Sequence, residues 1–361
     1  MKVVHIVGTR PNFMKIAPVM HHMAADESID QVLVHTGQHY DPTLSDSFFH
    51  ELELPYPDHF LQVGSASHAE QTARVLTALE PVLMAEKPHV LLVPGDVNST
   101  MAAALTAVKL GIPVAHLEAG LRSRDRSMPE EHNRVVTDHL SDLLLTPSTD
   151  ADRNLLAEGI PPERIEFVGN VMIDSLRTFE ARARAMDLAG TEFGVEGPLL
   201  VTLHRPGLVD HPDRLLEVMD VIEEVAVERA VLFPVHPRTA QVLDSTGWSP
   251  SRVRLLEPQS YLRFLSLMLS ASAVLTDSGG IQEETTALGI PCFPLRATTE
   301  RPITVAQGTN KVVGVGSEGL ARFRAALGDA RARSASTSIP ERWDGHAAPR
   351  CADALVARYG Q

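Results

Sequence analysis

Five side chains at the ends of apolar runs carry the first chemical suggestion. Asp96 follows VLLVPG (90 to 95), and Glu118 follows IPVAHL (112 to 117). Glu130 lies in the Met128-Pro129-Glu130-Glu131 stretch that opens a helical segment, while Arg10 and Lys15 follow the first apolar run, KVVHIV (2 to 7). Three carboxylates beside two cations suit proton transfer next to an anionic leaving group, because carboxylates move protons and cations stabilise the departing charge. A solvated basic pair is the alternative for Arg10 and Lys15. His116 and Glu118 alternate on one strand and raise the idea of a metal site. No third ligand is defined for one, and a packed histidine with a hydrogen-bonded ring competes with that idea.

The second constellation is residues 273 to 289, AVLTDSGGIQEETTALG. A β-branched run ends in Asp277-Ser278-Gly279-Gly280, and a helix-forming segment follows. Strand, glycine turn and helix bring unpaired N–H groups, the positive end of a helix dipole and the Ser278 hydroxyl to one point, which suits phosphate. Gly279 and Gly280 permit close backbone approach to an anion. Glu284, one turn into the helix, could accept hydrogen bonds from sugar hydroxyls. A plain glycine turn, with glutamates answering the helix dipole, is the competing view. His204, Arg205, His236 and Arg301 also fall at or beyond strand ends in this half, which marks it as the nucleotide side.

The elements that must position these residues alternate. Runs at 2 to 7, 31 to 36, 90 to 95, 112 to 120, 198 to 206, 230 to 238, 252 to 258, 273 to 276 and 291 to 295 read as strands separated by helices. That is the pattern of parallel sheets covered on both faces, with ligands at the carboxyl edge. A chain of 361 residues should hold two such domains. The boundaries read as 1–170 for the N-terminal Rossmann-like domain, 171–196 for a hinge, 197–345 for the C-terminal Rossmann-like domain, and 346–361 for a terminal helix. Two halves that each offer a carboxyl edge predict a cleft between facing domains.

Bulk properties exclude several classes. A formal net charge of −14 would repel nucleic acid and anionic membranes, so neither is expected as a partner. No apolar run approaches the ~18 residues of a membrane span, and MKVVHIVGTR breaks too early for a signal peptide. Two cysteines, Cys292 and Cys351, offer neither a disulfide framework nor zinc spacing, which points to the reducing cytoplasm.

In order along the chain, GTRPNFMKIAPV, HTGQHYD, GDVNST, HLEAGLRS, MPEEHNRVVTDH, VGNVMID, TLHRP, PVHPRT, TDSGGIQEE and TTERP closely resemble the UDP-N-acetylglucosamine 2-epimerases, from residue 2 to about 315. The resemblance implies a glycosyltransferase-B-like α/β fold of two Rossmann-like domains facing across a cleft. It implies interconversion of UDP-GlcNAc and UDP-ManNAc with no redox cofactor and no metal. UDP is eliminated, enzyme-bound 2-acetamidoglucal forms, and UDP adds back. By the same resemblance, Asp96, Glu118 and Glu130 are the acid/base candidates, and His204 and Arg10 aid the leaving diphosphate, with Lys15 in the same pocket. Gln259 to Phe264 would line the uracil, Ser278, Gly279 and Gly280 would hold phosphate, Glu284 the ribose, and Arg301 the sugar end. A homodimer and a place in cell-envelope polysaccharide biosynthesis are also implied. A hydrolysing 2-epimerase that releases ManNAc and UDP, a glycosyltransferase on the same fold, and a non-catalytic nucleotide-sugar binder are the competing functions.

Some positions depart from the family pattern. Asn12 stands where the family has glutamate in GTRPE, Gly207 and Leu208 replace Glu and Asn after HRx, and Ile303 replaces the last glutamate of ERPE. Some bacterial relatives are activated by UDP-GlcNAc at an adjacent site. Its residues correspond to Gln38, His39 and His236 here, but Pro206 stands where an arginine is expected, which argues against such activation.

Overall fold

The computed structural model describes residues 1–38, 49, 51–333 and 338–360, with the backbone alone for Arg10 and for residues 329–333. The chain divides into two units, Met1–Leu176 with Glu341–Gln361, and Arg177–Pro340. Each is a parallel sheet with helices, the α/β class with two Rossmann-like units that the alternating pattern predicts.

The first unit holds β1 (Lys2–Val7), β2 (Asp30–His35), β3 (His59–Phe60), β4 (Val90–Pro94), β5 (Val114–Leu117), β6 (Leu143–Thr146) and β7 (Ile165–Phe167). They lie in the order β3-β2-β1-β4-β5-β6-β7, every pairing parallel. The inner strands are apolar with few interruptions because both of their faces are buried, so alternation has no solvent side to serve. Val4, Ile6, Leu91 and Val93 form one core with Leu79, Leu83 and Ala103 from the crossover helices. The chain begins in the middle of the sheet, runs outward to β3 and returns at β4. Between β1 and β4 the winding therefore reverses, and there the loops at the strands' carboxyl ends diverge and leave room for a ligand.

The terminal helix Ala347–Tyr359 belongs to this unit. The Asp174 carboxylate accepts hydrogen bonds from the N–H groups of Ala347 (3.1 Å) and Ala348 (2.8 Å), satisfying donors that a helix start leaves orphaned. Trp343 Nε1 donates to the Pro147 carbonyl at 2.9 Å and fixes the approach to it.

The second unit repeats the plan with β8 (Leu199–Thr202), β9 (Val231–Pro234), β10 (Arg254–Leu256), β11 (Ala273–Thr276) and β12 (Cys292–Pro294), ordered β10-β9-β8-β11-β12 and parallel throughout. Leu199, Val201, Phe233 and Leu275 pack with Met219, Ile222 and Phe323 into its core. Its winding reverses between β8 and β11. No helix among the described residues is long and apolar enough to cross a membrane.

Candidate functional site

In the first unit the loops after β1, β4 and β5 bring the sequence-predicted residues to the reversal point. Lys15, on the Arg10–Met23 helix, forms an ion pair with Glu118 Oε2, the two side chains only 7% and 5% exposed. Gly95, between β4 and Asp96, has φ +68°, and a Cβ there would stand 2.7 Å from Lys15 Nζ. The positive φ favours glycine there, and a side chain at 95 would push the ammonium from its place. Glu118 itself has φ +72°, a left-handed backbone conformation that few non-glycine residues adopt.

Asp96 is held by a cation that the sequence reading did not assign. Arg134 donates to Asp96 Oδ2 through Nε (3.0 Å) and Nη2 (2.5 Å), and through Nη1 to Glu131 Oε2 (2.8 Å). The adjacent glutamates of the Pro129–Leu140 helix separate by helical phase. Glu131 is buried and accepts from the Ser123 N–H and Oγ–H (2.9 Å each) and the Arg124 N–H (2.7 Å). Burial works against its charge, but these bonds and Arg134 hold its carboxyl below the ordinary range. Glu130 is half-buried and instead lines a polar recess with Gln38, His68, Gln71, Asn98 and Asn133. The structure thus pairs Lys15 with Glu118 and Asp96 with Arg134, and sets Glu130 in the recess.

Gln38 is buried, its Oε1 accepting from the Ser99 N–H (3.0 Å) and hydroxyl (2.7 Å). The side chain of Arg10, and His39, lie outside the described residues. Both ring nitrogens of His116 are occupied, Nε2 donating to the Gly95 carbonyl (2.7 Å) and Nδ1 meeting Asp138 Oδ1 (2.6 Å). This is the packed histidine of the two sequence readings, and no metal-binding group occurs among the described residues.

In the second unit, the loops after β8 and β11 flank the corresponding reversal. Asp277, also absent from the predicted set, ties them together. Its carboxylate accepts from the backbone N–H of His204 (2.9 and 3.1 Å) and of Arg205 (2.8 Å), and His204 Nδ1 stands 3.2 Å from Oδ1. The next residue, Ser278, stands at the N-cap position of the Gly279–Leu288 helix without a capping bond from its side chain, and the first turn presents Gly279 and Gly280. A Cβ on Gly279 would lie 2.5 Å from Arg301 Nη1 and 2.7 Å from Glu300 Oε1. Arg301 is buried beside that turn, with Nε 2.8 Å from Glu283 and Nη1 2.5 Å from Glu300. Glu284 is buried and accepts from the Tyr261 hydroxyl at 2.8 Å; burial first, and then the Glu284 charge, push that phenol well above its ordinary pKa.

Gln259 donates to the Glu257 carbonyl (2.7 Å) and accepts from Arg263 Nε (2.8 Å), and Phe264 is half-buried on the Tyr261–Ser270 helix. Two signals in the sequence could have found the unassigned residues. Glu131 and Arg134 stand three apart on one helix face, the spacing of an ion pair, and Asp277 directly precedes the Ser-Gly-Gly turn.

Two doubly wound units, one with a cation-held carboxylate pair and the other with two glycines at a helix start, define an α/β protein of two Rossmann-like units. Comparison with known proteins makes the class specific. Residues 21–356 match the family model described as UDP-N-acetylglucosamine 2-epimerase, and the chain belongs to that family, whose members are isomerases. It is 42% identical to the UDP-N-acetylglucosamine 2-epimerase of Methanocaldococcus jannaschii over 89% of this chain and 90% of that protein. It is 41% identical to the UDP-2,3-diacetamido-2,3-dideoxy-D-glucuronate 2-epimerase of Pseudomonas aeruginosa over 87% and 88%. The crystal structure of the M. jannaschii epimerase in complex with UDP-GlcNAc and UDP superposes with a TM-score of 0.91 at 39% identity, over 99% of this chain and 100% of that one.

Proposed function

We propose that this enzyme inverts C2 of a UDP-linked N-acetylhexosamine, interconverting UDP-GlcNAc and UDP-ManNAc by elimination and re-addition of UDP. The observation that carries the reading, beside membership of the family, is the pairing of two strand-end carboxylates with buried cations, Glu118 with Lys15 and Asp96 with Arg134. The C2 hydrogen is weakly acidic, so its removal needs a positioned base together with stabilisation of the departing diphosphate. A carboxylate takes the proton, the C2–H electron pair becomes the C1–C2 double bond, and the C1–O pair leaves with UDP. The product is enzyme-bound 2-acetamidoglucal. In the return step a phosphate oxygen bonds C1 again while a proton reaches the opposite face of C2.

Asp96, Glu118 and Glu130 are the acid/base set in this proposal, and Arg10 and His204 stabilise the diphosphate, with Lys15 in the same pocket. Ser278, Gly279 and Gly280 hold phosphate through hydroxyl and N–H groups, Glu284 takes the ribose, Gln259 to Phe264 the uracil, and Arg301 the sugar end. The reading includes a homodimer, which sedimentation would check. It also places the enzyme in the cytoplasm, in keeping with two buried free cysteines.

The test is NMR of the protein in D2O with UDP-GlcNAc or a 2,3-diacetamido UDP-uronate as the sole substrate. Deuterium should enter C2 and the C2-epimeric UDP-sugar should accumulate without any added acceptor. Free reducing sugar with UDP would instead identify the hydrolysing reaction. Turnover only with an acceptor would identify a transferase, and UDP binding without exchange a non-catalytic binder.

A further inference from the structure

We propose that His116 and Asp138 are positioning residues for the proton transfer, forming a brace that fixes the loop of Asp96 relative to the loop of Glu118. The inference rests on the acid/base reading given above. Both side chains are completely buried. His116 stands in β5 opposite Val93 of β4, so its ring reaches across to the end of the neighbouring strand. There Nε2 donates to the carbonyl of Gly95, the residue before Asp96, at 2.7 Å. The other ring nitrogen lies 2.6 Å from Asp138 Oδ1. Asp138 Oδ2 accepts from the Gly120 N–H at 3.2 Å, two residues after Glu118, and faces Arg122 Nη1 at 2.7 Å.

The path Gly95 carbonyl, His116, Asp138, Gly120 N–H therefore links the backbones of the two loops. Arg122 extends it, donating to Glu158 through Nε (2.8 Å) and Nη2 (2.7 Å) at the end of the Thr149–Ala157 helix. Burial opposes the Asp138 charge, yet the adjacent His116 and Arg122 hold its carboxyl below the ordinary range, so it serves both partners as an acceptor.

Two further observations favour positioning over ballast. Buried ionic clusters contribute little net stability compared with apolar packing of the same volume, so stability alone is a poor reason for this one. And the brace surrounds the strained residue. Glu118, at φ +72°, lies between His116 and Gly120, both of which the brace holds. A conformation of this kind persists only where its surroundings over-determine it. Releasing the brace should let Glu118 relax away from the geometry that aims its carboxylate at Lys15.

The experiment is a double-mutant cycle of Asp138→Asn with Glu118→Asp, read as kcat and KM for C2 deuterium exchange, alongside UDP affinity and thermal unfolding. Asp138→Asn should lower kcat by about 10²-fold, the cost of a misplaced reacting group. KM and UDP affinity should stay within about threefold. In the Glu118→Asp background the further loss should be far smaller, since the two changes spoil the same geometry. Multiplying effects, a loss confined to KM, or normal kcat per folded molecule would overturn the brace. If Asp138→Asn does not fold, His116→Gln is read the same way, and full kcat in that variant overturns the proposal. Asp96→Asn and Glu118→Gln run in parallel. Normal exchange in either defeats the acid/base reading itself, whereas inactivity there with full activity in Asp138→Asn defeats the brace alone.

Discussion

Lys15 and Glu118 form an ion pair whose side chains are less than one-tenth exposed, on the helix after β1 and the loop after β5. Removing either partner takes away an ion pair made almost out of water. Breaking such a pair costs about 3–5 kcal/mol, whereas replacing both partners by apolar groups costs far less. Lys15→Met should therefore lower unfolding free energy by roughly that amount, and Lys15→Met with Glu118→Leu should recover most of it. Urea denaturation of the two single variants and the double variant decides. Additive losses would mean that the pair is not coupled in solution.

Asp277 supplies the corresponding restraint in the second unit. Its carboxylate receives the N–H groups of both His204 and Arg205 and adjoins the Ser278-Gly279-Gly280 turn. Hydrogen bonds to a charged acceptor contribute about 1.5–3 kcal/mol each, and the orphaned N–H groups would reorient. Asp277→Ala should weaken UDP binding by about ten- to a hundredfold in titration calorimetry, with the C2 exchange rate falling too. Unchanged UDP affinity would separate this loop from the nucleotide.

Both cysteines should be silent towards thiol reagents. Cys292 is fully buried in β12, which pushes its thiol up to about 12 against an opposing hydrogen bond from Thr285, and burial raises Cys351 well above its ordinary value. Because the folded value exceeds the unfolded one near 9, the native state keeps protons that the unfolded chain releases. That contribution is complete below pH 9 and is lost as pH rises from 9 towards 12. Disulfide-exchange reagents at pH 8 should label neither thiol until urea unfolds the chain, and stability should fall steadily above pH 9. Stoichiometric labelling of the folded protein would contradict the packing of β12.

Nine strands were readable because a parallel strand covered on both faces must be apolar throughout, as in KVVHIV and VLLVP, whereas the short β6 (LLLT) and β7 (IEF) went unread between helices. β3 has two residues, His59 and Phe60, with no pattern to read. Among site residues, Ser278 and the two glycines that open the Gly279–Leu288 helix were legible from local chemistry alone. The partners were not. Asp277 meets His204 because β11 lies beside β8, and Asp138 meets His116 from 22 residues away, both matters of topology. Glu130 and Glu131 are adjacent in sequence, and only helical phase sends one into the recess and the other onto Arg134. Nor does the local pattern of residues 346 to 361 reveal that they return to the first unit, since Asp174 receives them from 173 positions upstream.

Asn12, a departure from the GTRPE pattern of the resemblance, is built into this chain as an amide. Its Oδ1 accepts from the N–H groups of Gly8 and Thr9 and from the Thr9 hydroxyl, all at 3.1 Å, while Nδ2 donates to the Pro94 carbonyl at 3.0 Å. The side chain is 2% exposed, and the Pro94 carbonyl also accepts from a second donor, the Thr100 hydroxyl at 2.8 Å. A glutamate could keep the acceptor half of the arrangement. It could not donate to Pro94, and it would set a carboxylate against a buried carbonyl at the end of β4. The cost is therefore one lost hydrogen bond together with a buried charge facing an acceptor. Asn12→Glu should therefore destabilise the protein by about 2–3 kcal/mol, and by loosening the Gly95–Asp96 loop it should lower kcat for C2 exchange more than it changes UDP affinity. Denaturation midpoints and exchange rates measured on the same preparation check both parts. A variant as stable and active as the parent would show that the loop after β1 accommodates either residue.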